Sequence, residues 1–332
     1  MQNRKIEKSE KRKTIRIVLL SALILGLAGS RILAEGAPKR LGDKPLHPFT
    51  VDGIGVEMEP IPAGVFLMGS PADEPGRGAF EGPRTRVIIS KPFWLGRTAV
   101  THGQWKALMG TDLAAQARKA FPNDNNFPGY LANSGDNVAM YYVSWGDAMA
   151  FCEKLNARAR ADGSLPAGYA YTLPTEAQWE YACRAGTADA TYAGPMQILG
   201  KNNAPILDAI AWYGGNSSVG YLGAGLDTKD WPEKAYPGGT AGPRDVALKQ
   251  PNAWGLYDML GNIYQWCRDF PANDLSGGTL TDPAGLAQGC DRAVRGGGWH
   301  SDAALCRSAY RARDVSLNRS LFIGFRVALA QH

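Results

Sequence analysis

Forty glycines and twenty-one prolines, spread over 332 residues without a repeating period, set the strongest limit on what this chain can fold into. A helical bundle could not carry them, because each glycine in a helix interior costs about 1 kcal/mol relative to alanine and each proline about 3 kcal/mol. Without a three-residue period they do not make a collagen-like helix either. Yet 45% of the residues are hydrophobic and 20% charged, enough apolar material for a sizeable core. The combination predicts a loop-rich α+β or β-rich fold in which nine tryptophans and thirteen tyrosines serve as rigid packing anchors.

The first 34 residues stand apart. Arg4, Lys5, Lys8, Lys11, Arg12, Lys13 and Arg16 precede an apolar run over residues 17–28, with Gly29, Ser30 and Ala34 after it. This is the pattern of an export signal, and the run is shorter than the roughly 20 residues that span a bilayer, so it predicts a periplasmic or extracellular protein, with an uncleaved N-terminal anchor as the only expected link to a membrane. Eight Lys/Arg and two Asp/Glu fall within it, leaving 28 basic residues against 29 acidic ones in the remainder. The formal charge of +5 thus belongs to the leader, and no basic footprint for nucleic acid remains.

Residues 35–48 read as a tether rich in Gly, Pro, Lys and Arg, and the folded domain is expected over residues 49–332. Short strands are expected around residues 61–70, 86–90 and 93–95, with a strand ending at Val100 and Thr101. Ser144, three residues before Asp147, predicts a helix N-cap, and Ala148, Phe151, Cys152 and Leu155 follow at the spacing of one buried stripe. Thr175 and Gln178 form a capping box for a second helix, which carries Trp179, Ala182 and Cys183 on one side and ends at Gly186. Residues 202–248 are dominated by Gly, Asn, Pro and aromatics and predict ordered loops.

Export permits disulfides among Cys152, Cys183, Cys267, Cys290 and Cys306, though an odd count leaves one thiol over in a monomer. No CxxC spacing is present, which argues against a structural zinc site.

Four blocks carry a resemblance to a known family. They are Ile61-Pro62-Ala63-Gly64 through Met68-Gly69-Ser70; Val143-Ser144-Trp145 with Phe151-Cys152; the unbroken run over residues 171–184 that includes Leu173-Pro174-Thr175-Glu176; and residues 252–262 with Arg295-Gly296-Gly297-Gly298-Trp299 and Gly324-Phe325-Arg326. In this order over about 280 residues they resemble the formylglycine-generating, sulfatase-modifying factor family. The resemblance implies an α+β fold of the C-type-lectin type. It also implies copper(I) chemistry, in which two cysteines beyond the Gly-Gly turn bind the soft ion and activate oxygen to convert a substrate cysteine into an aldehyde.

Counted from Gly296, Ser301 falls at the first of those cysteines and Cys306 at the second. A serine hydroxyl is a hard, poorly ionised donor and does not replace a thiolate on copper(I), so copper is doubtful here. Cys306 is either a remnant nucleophile or ligand, or half of a disulfide with Cys183; Cys267 and Cys290 make the other candidate bridge. His300 lies in what the resemblance makes the substrate groove, where with Cys306 and Asp302 it could form a thiol–imidazole site. The family also places calcium on the turn matching residues 258–265. Asp258 and Gln265 would give side-chain oxygens and Gly261 and Ile263 carbonyls, although Gln265 stands where the family has glutamate.

Two functions follow. One is an exported oxidoreductase of the formylglycine-generating type acting on a cysteine-containing peptide or small thiol. The other is a non-catalytic module that presents its C-terminal loop face to a peptide, protein or small-molecule ligand.

Overall fold

The computed structural model describes residues 46–124 and 131–331; the expected export signal lies outside them. The described chain opens with three strands, β1 (Phe49–Val51), β2 (Val56–Ile61) and β3 (Gly64–Met68), followed by β4 (Thr85–Ile89) and β5 (Phe93–Gly96). Helices α1 (His102–Met109), α2 (Leu113–Ala120) and α3 (Trp145–Ala161) come next, then β6 (Tyr169–Thr172), α4 (Glu176–Arg184) and the single turn α5 (Leu207–Ile210). The rest is strand and loop: β7 (Leu226–Asp227), β8 (Thr240–Ala241), β9 (Tyr264–Trp266), β10 (Thr279–Thr281), β11 (Asp291–Arg295), β12 (Arg311–Val315), β13 (Ile323–Phe325) and β14 (Ala328–Gln331).

β14 lies between β5 and β6 in a five-stranded sheet of order β1-β2-β5-β14-β6, which ties the C-terminal strand into the N-terminal half. A three-stranded sheet runs β10-β4-β3, and a four-stranded sheet runs β12-β11-β9-β13. Two apolar clusters fill the interior. In one, Trp105 stacks on Phe151 at 5.8 Å and Phe151 meets Phe325 edge-on at 5.3 Å. The other gathers Trp179, Tyr213, Met259, Cys183 and Cys306. Few ladders and many packed loops are what the glycine and proline content demands.

Both expected helix starts are present. Ser144 accepts from the Asp147 amide and opens α3, and Ala148, Phe151, Cys152 and Leu155 form its buried stripe. Thr175 and Gln178 exchange the two capping-box bonds at α4. That helix ends one residue early, at Ala185 in the left-handed region, with Gly186 continuing the turn.

The strand expected to end at Val100 and Thr101 is a correction. Thr101 instead caps α1, its hydroxyl accepting from the Gln104 amide while Gln104 reaches back. Thr101 keeps only an isolated bridge to Ala139, and the Val100 carbonyl accepts from the Met140 amide.

Candidate functional site

The segment after β11 carries the residues matched to the family's chemistry. It leaves the sheet through Gly296 and Gly297, both at positive φ. At Gly297 a Cβ would come within 2.6 Å of Cys306 Sγ, so only glycine lets the backbone close over that sulfur.

Buried arginines hold the segment in place. Arg295 donates to the carbonyls of Ser308 and Ala309 and pairs with Glu180. Glu180 also accepts from the Gly69 amide at 2.9 Å and from Arg184 at 2.9 Å. Arg307 grips Glu81 through two bonds of 2.8 and 2.5 Å and Glu74 through one of 2.6 Å. Arg311 forks onto Glu176 at 2.7 and 2.9 Å. Burial alone would raise Glu81 and Glu176, but the arginine bonds outweigh it and hold both carboxyls below their usual range. Burial wins at Glu74, which has a single bond to Arg307 and is raised. These ion pairs join the loop before β4, helix α4 and the C-terminal segment into one frame.

Within that frame Ser301 and Cys306 are brought close, but not as a pair of metal ligands. Ser301 Oγ accepts from the Gly298 amide at 2.9 Å and is hydrogen-bonded to Tyr264, whose hydroxyl also meets Tyr310. Cys306 is fully buried, and loss of hydration pushes its thiol up to about 12 even though the amides of Gly261 and Gly298 face the sulfur. One thiol and one hydroxyl already engaged do not supply the two thiolates that a cuprous ion takes.

His300 stacks on Phe322 with ring centroids 3.8 Å apart, with Trp299 and Tyr264 further out, and its Nδ1 lies over the Gly298 backbone. Burial lowers it to about 4, so the ring is neutral. Asp302 faces Lys201 at 3.6 Å. Of the three groups expected in a thiol–imidazole site, Asp302 is thus turned to Lys201, and His300 packs among aromatic rings with its Nδ1 buried and without a hydrogen-bond partner.

The turn matched to calcium is wound as expected. Asp258, Gly261 and Asn262 all take positive φ, and a Cβ on Gly261 would come within 2.4 Å of the Trp212 carbonyl. Asp258 Oδ2 accepts from the Ala247 amide at 2.7 Å, while Oδ1 is buried without a hydrogen-bond partner. Ile263 is buried beside them. Gln265 Oε1, however, accepts from Trp179 at 2.9 Å and from Arg326 at 3.0 Å, and Gln265 Nε2 donates to the Asp258 carbonyl. Arg326 is itself buried and lowered to about 10 by that burial, with Asp258 opposing the shift. Its guanidinium supplies the positive charge, and the Gln265 oxygen is not free, so this donor set does not fit calcium.

A model of the sulfatase-modifying factor enzyme 1-like domain matches residues 54–331. The chain belongs to this family. The formylglycine-generating enzyme of Mus musculus is 26% identical to it, over 82% of this chain and 74% of that protein. That of Thermomonospora curvata is 28% identical, over 85% and 82%. Among solved structures, PvdO from Pseudomonas aeruginosa superposes with a TM-score of 0.66 at 27% identity, covering 87% of this chain and 99% of that one. Treponema denticola variable protein 1 gives 0.62 at 25% identity, covering 85% and 98%. This family member thus has the family's loop-rich α+β fold.

The two bridges expected from the sequence are not formed, since all five cysteines are free. Cys183 Sγ faces Ser308 Oγ at 3.6 Å, whereas Cys306 is covered by Gly297. Cys267 lies opposite Ala293 across the β9–β11 ladder, three residues along the chain from Cys290, which keeps the second pair apart. No helix among the described residues is long and apolar enough to cross a membrane.

Sequence reasoning missed Glu81, Glu176, Glu180, Arg307 and Arg311 as a set. Their spacing in the chain gives no sign that they meet. It also missed Trp231, which stacks on Trp299 at 6.1 Å and 24° and, with Phe322 and His300, forms a half-buried aromatic face.

Proposed function

We propose that this protein is an exported member of the family that has lost the oxidase centre and binds a peptide, protein or small-molecule ligand on its C-terminal loop face. The observation that carries the reading is the state of the two matched positions. The Ser301 hydroxyl is tied to the Gly298 amide, so position 301 offers no thiolate, and the Cys306 thiol is buried beneath Gly297. The half-buried face of Trp231, His300 and Phe322, with Lys234 at 5.7 Å from the Trp231 ring, supplies the large amphipathic contact surface that adaptable recognition sites use. The basic and apolar pattern of residues 1–34 supports export.

The test incubates copper-loaded protein and a Cys306→Ser variant with a Cys-x-Pro-x-Arg peptide under oxygen. Neither is expected to give the mass loss of aldehyde formation. Turnover by the wild type that disappears in Cys306→Ser refutes the binding reading. In the complementary assay, a peptide and glycan array retains wild-type protein and loses Trp231→Ala and Phe322→Ala.

A further inference from the structure

We propose that the outer edge of β12 is a docking edge for an extended peptide, which adds as a fifth strand to the sheet β12-β11-β9-β13. This rests on the reading of the protein as a binding module but uses a surface separate from the aromatic face.

The argument starts from register. β11 and β12 pair antiparallel, with Asp291 opposite Val315 and Arg295 opposite Arg311. The Ser316 amide donates to the Cys290 carbonyl, so this directly opposed pair is hydrogen-bonded. In an antiparallel ladder such pairs alternate, so Asp314 and Ala312 also point their backbone groups at β11 while Arg311, Arg313 and Val315 point theirs away. The other side of β11 agrees: Cys267 donates to the Ala293 carbonyl, which assigns Ala293 and Arg295 to β9 and leaves Arg292 and Val294 for β12. Among the described residues no strand pairs with the outer edge of β12. The Val315 amide is satisfied by the Asp314 carboxylate at 2.7 Å. Among the described residues the unpaired edge is thus the backbone of Arg313, which is exposed, and of Arg311, which is 7% exposed at the head of the strand.

A groove of about 580 Å³ runs along it, lined by Phe80, residues 271–274 and residues 310–313. Arg311 braces this groove. Its guanidinium is paired with Glu176 and also donates to the carbonyls of Phe80 and Ala272, so the far wall is held off the strand instead of collapsing onto it. Side chains at 311 and 313 share one face. A peptide residue opposite Arg311 therefore lies beside Phe80, which is 36% exposed and meets Tyr310 edge-on at 6.0 Å. A residue opposite Arg313 meets an exposed guanidinium that donates to Asn273 Oδ1 across the groove at 2.9 Å and has Asp291 3.7 Å away. Free backbone donors and acceptors select an extended backbone. The two side-chain positions select an aromatic or apolar residue and, two residues away, an acidic one.

The experiment measures fluorescence anisotropy of the labelled peptides Thr-Thr-Glu-Thr-Phe-Thr-Thr and Thr-Thr-Phe-Thr-Glu-Thr-Thr with the full chain. At least one should bind, with N-methylation of alternate amides abolishing binding in one register and leaving it in the other. Arg313→Pro removes an amide that β11 does not use, so it should lower affinity about tenfold or more with the fold intact. Arg313→Ala should weaken the peptide carrying glutamate several-fold and leave its glutamine counterpart unchanged. Binding insensitive to both N-methyl registers, or no binding of either peptide to the wild type, overturns the proposal. So does binding that survives Arg313→Pro but is lost in Trp231→Ala and Phe322→Ala, although it leaves the proposed binding function standing. A concentration-dependent dimer that Arg313→Pro dissolves overturns it in favour of a second copy. If Arg313→Pro unfolds, the N-methyl series on the wild type decides.

Discussion

Replacing Arg307 with alanine tests the frame that holds the C-terminal segment. Arg307 is fully buried and bonds Glu81 at two oxygens, Glu74 at one and the Gly76 carbonyl at 2.7 Å. Removing it leaves buried carboxylates without a cation, which costs about 3–5 kcal/mol, a loss of roughly 10 °C in melting temperature for a domain of this size. The pH dependence gives a sharper signature. In the wild type Glu81 is held below its ordinary value, so its contribution is present above about pH 4.5 and is lost as pH falls through the depressed pKa. In Arg307→Ala the same carboxyl, buried and unpaired, shifts upward, and stability is lost as pH rises through that raised value. The difference between wild type and variant should therefore be largest at pH 7–8 and shrink towards pH 4.5. The assay is urea denaturation at several pH values. An Arg307→Met, Glu81→Gln, Glu74→Gln triple variant should recover much of the loss, because an uncharged group leaves no buried ion behind. A deficit under about 1 kcal/mol, or one that does not change with pH, would refute the reasoning.

Three further outcomes follow from the site. Calcium should shift the melting temperature by no more than about 1 °C relative to a chelator, since Gln265 and Arg326 fill the turn; a rise of several degrees would show that they part to admit the ion. A thiol reagent at pH 8 should label Cys290 in the native protein and the other four cysteines only after denaturation, with prompt labelling of Cys306 as the contrary result. Asp269 is raised to about 7, first by burial and then by Glu176, so its contribution is present below the unfolded value near 4 and is lost as pH rises to 7. Asp269→Asn, which keeps an acceptor for the Glu176 amide at 2.8 Å, should exceed the wild type in stability at pH 8 and match it near pH 4; equal stabilities at pH 8 would show that Asp269 pays no burial penalty.

The parts of the fold visible in the sequence were those coded locally. Ser144 with Asp147 and Thr175 with Gln178 specify helix starts within four residues, and the apolar runs at 86–90 and 93–95 fall on β4 and β5. The turn over residues 258–262 is picked out by the family resemblance, and its left-handed positions fall on Asp258, Gly261 and Asn262, residue types that tolerate that backbone. What Gln265 does there is not legible, because the answer depends on Arg326, 61 positions along the chain. Arg307 and Glu81 are 226 positions apart and Arg311 and Glu176 are 135 apart; composition and periodicity carry no information on such pairs. The disulfide expectation failed for a related reason. Cysteine count bounds the options, but which thiols face each other is a property of the packed core.

The same long-range frame holds the C-terminal segment independently of the two positions matched to the family's cysteines. The C-terminal segment is anchored by Arg295, Arg307 and Arg311, whose carboxylate partners lie on α4 and on the loop before β4. None of these anchors passes through Ser301 or Cys306. Ser301 contributes a hydrogen bond to Gly298 and a contact to Tyr264, and Cys306 contributes apolar volume. Serine at position 301 leaves no unsatisfied group there, because its hydroxyl finds a backbone donor in the Gly298 amide. The frame thus separates the stability of the loop from the identity of the side chains at positions 301 and 306. That freedom is what a binding face needs when its exposed residues change while the segment beneath them stays fixed.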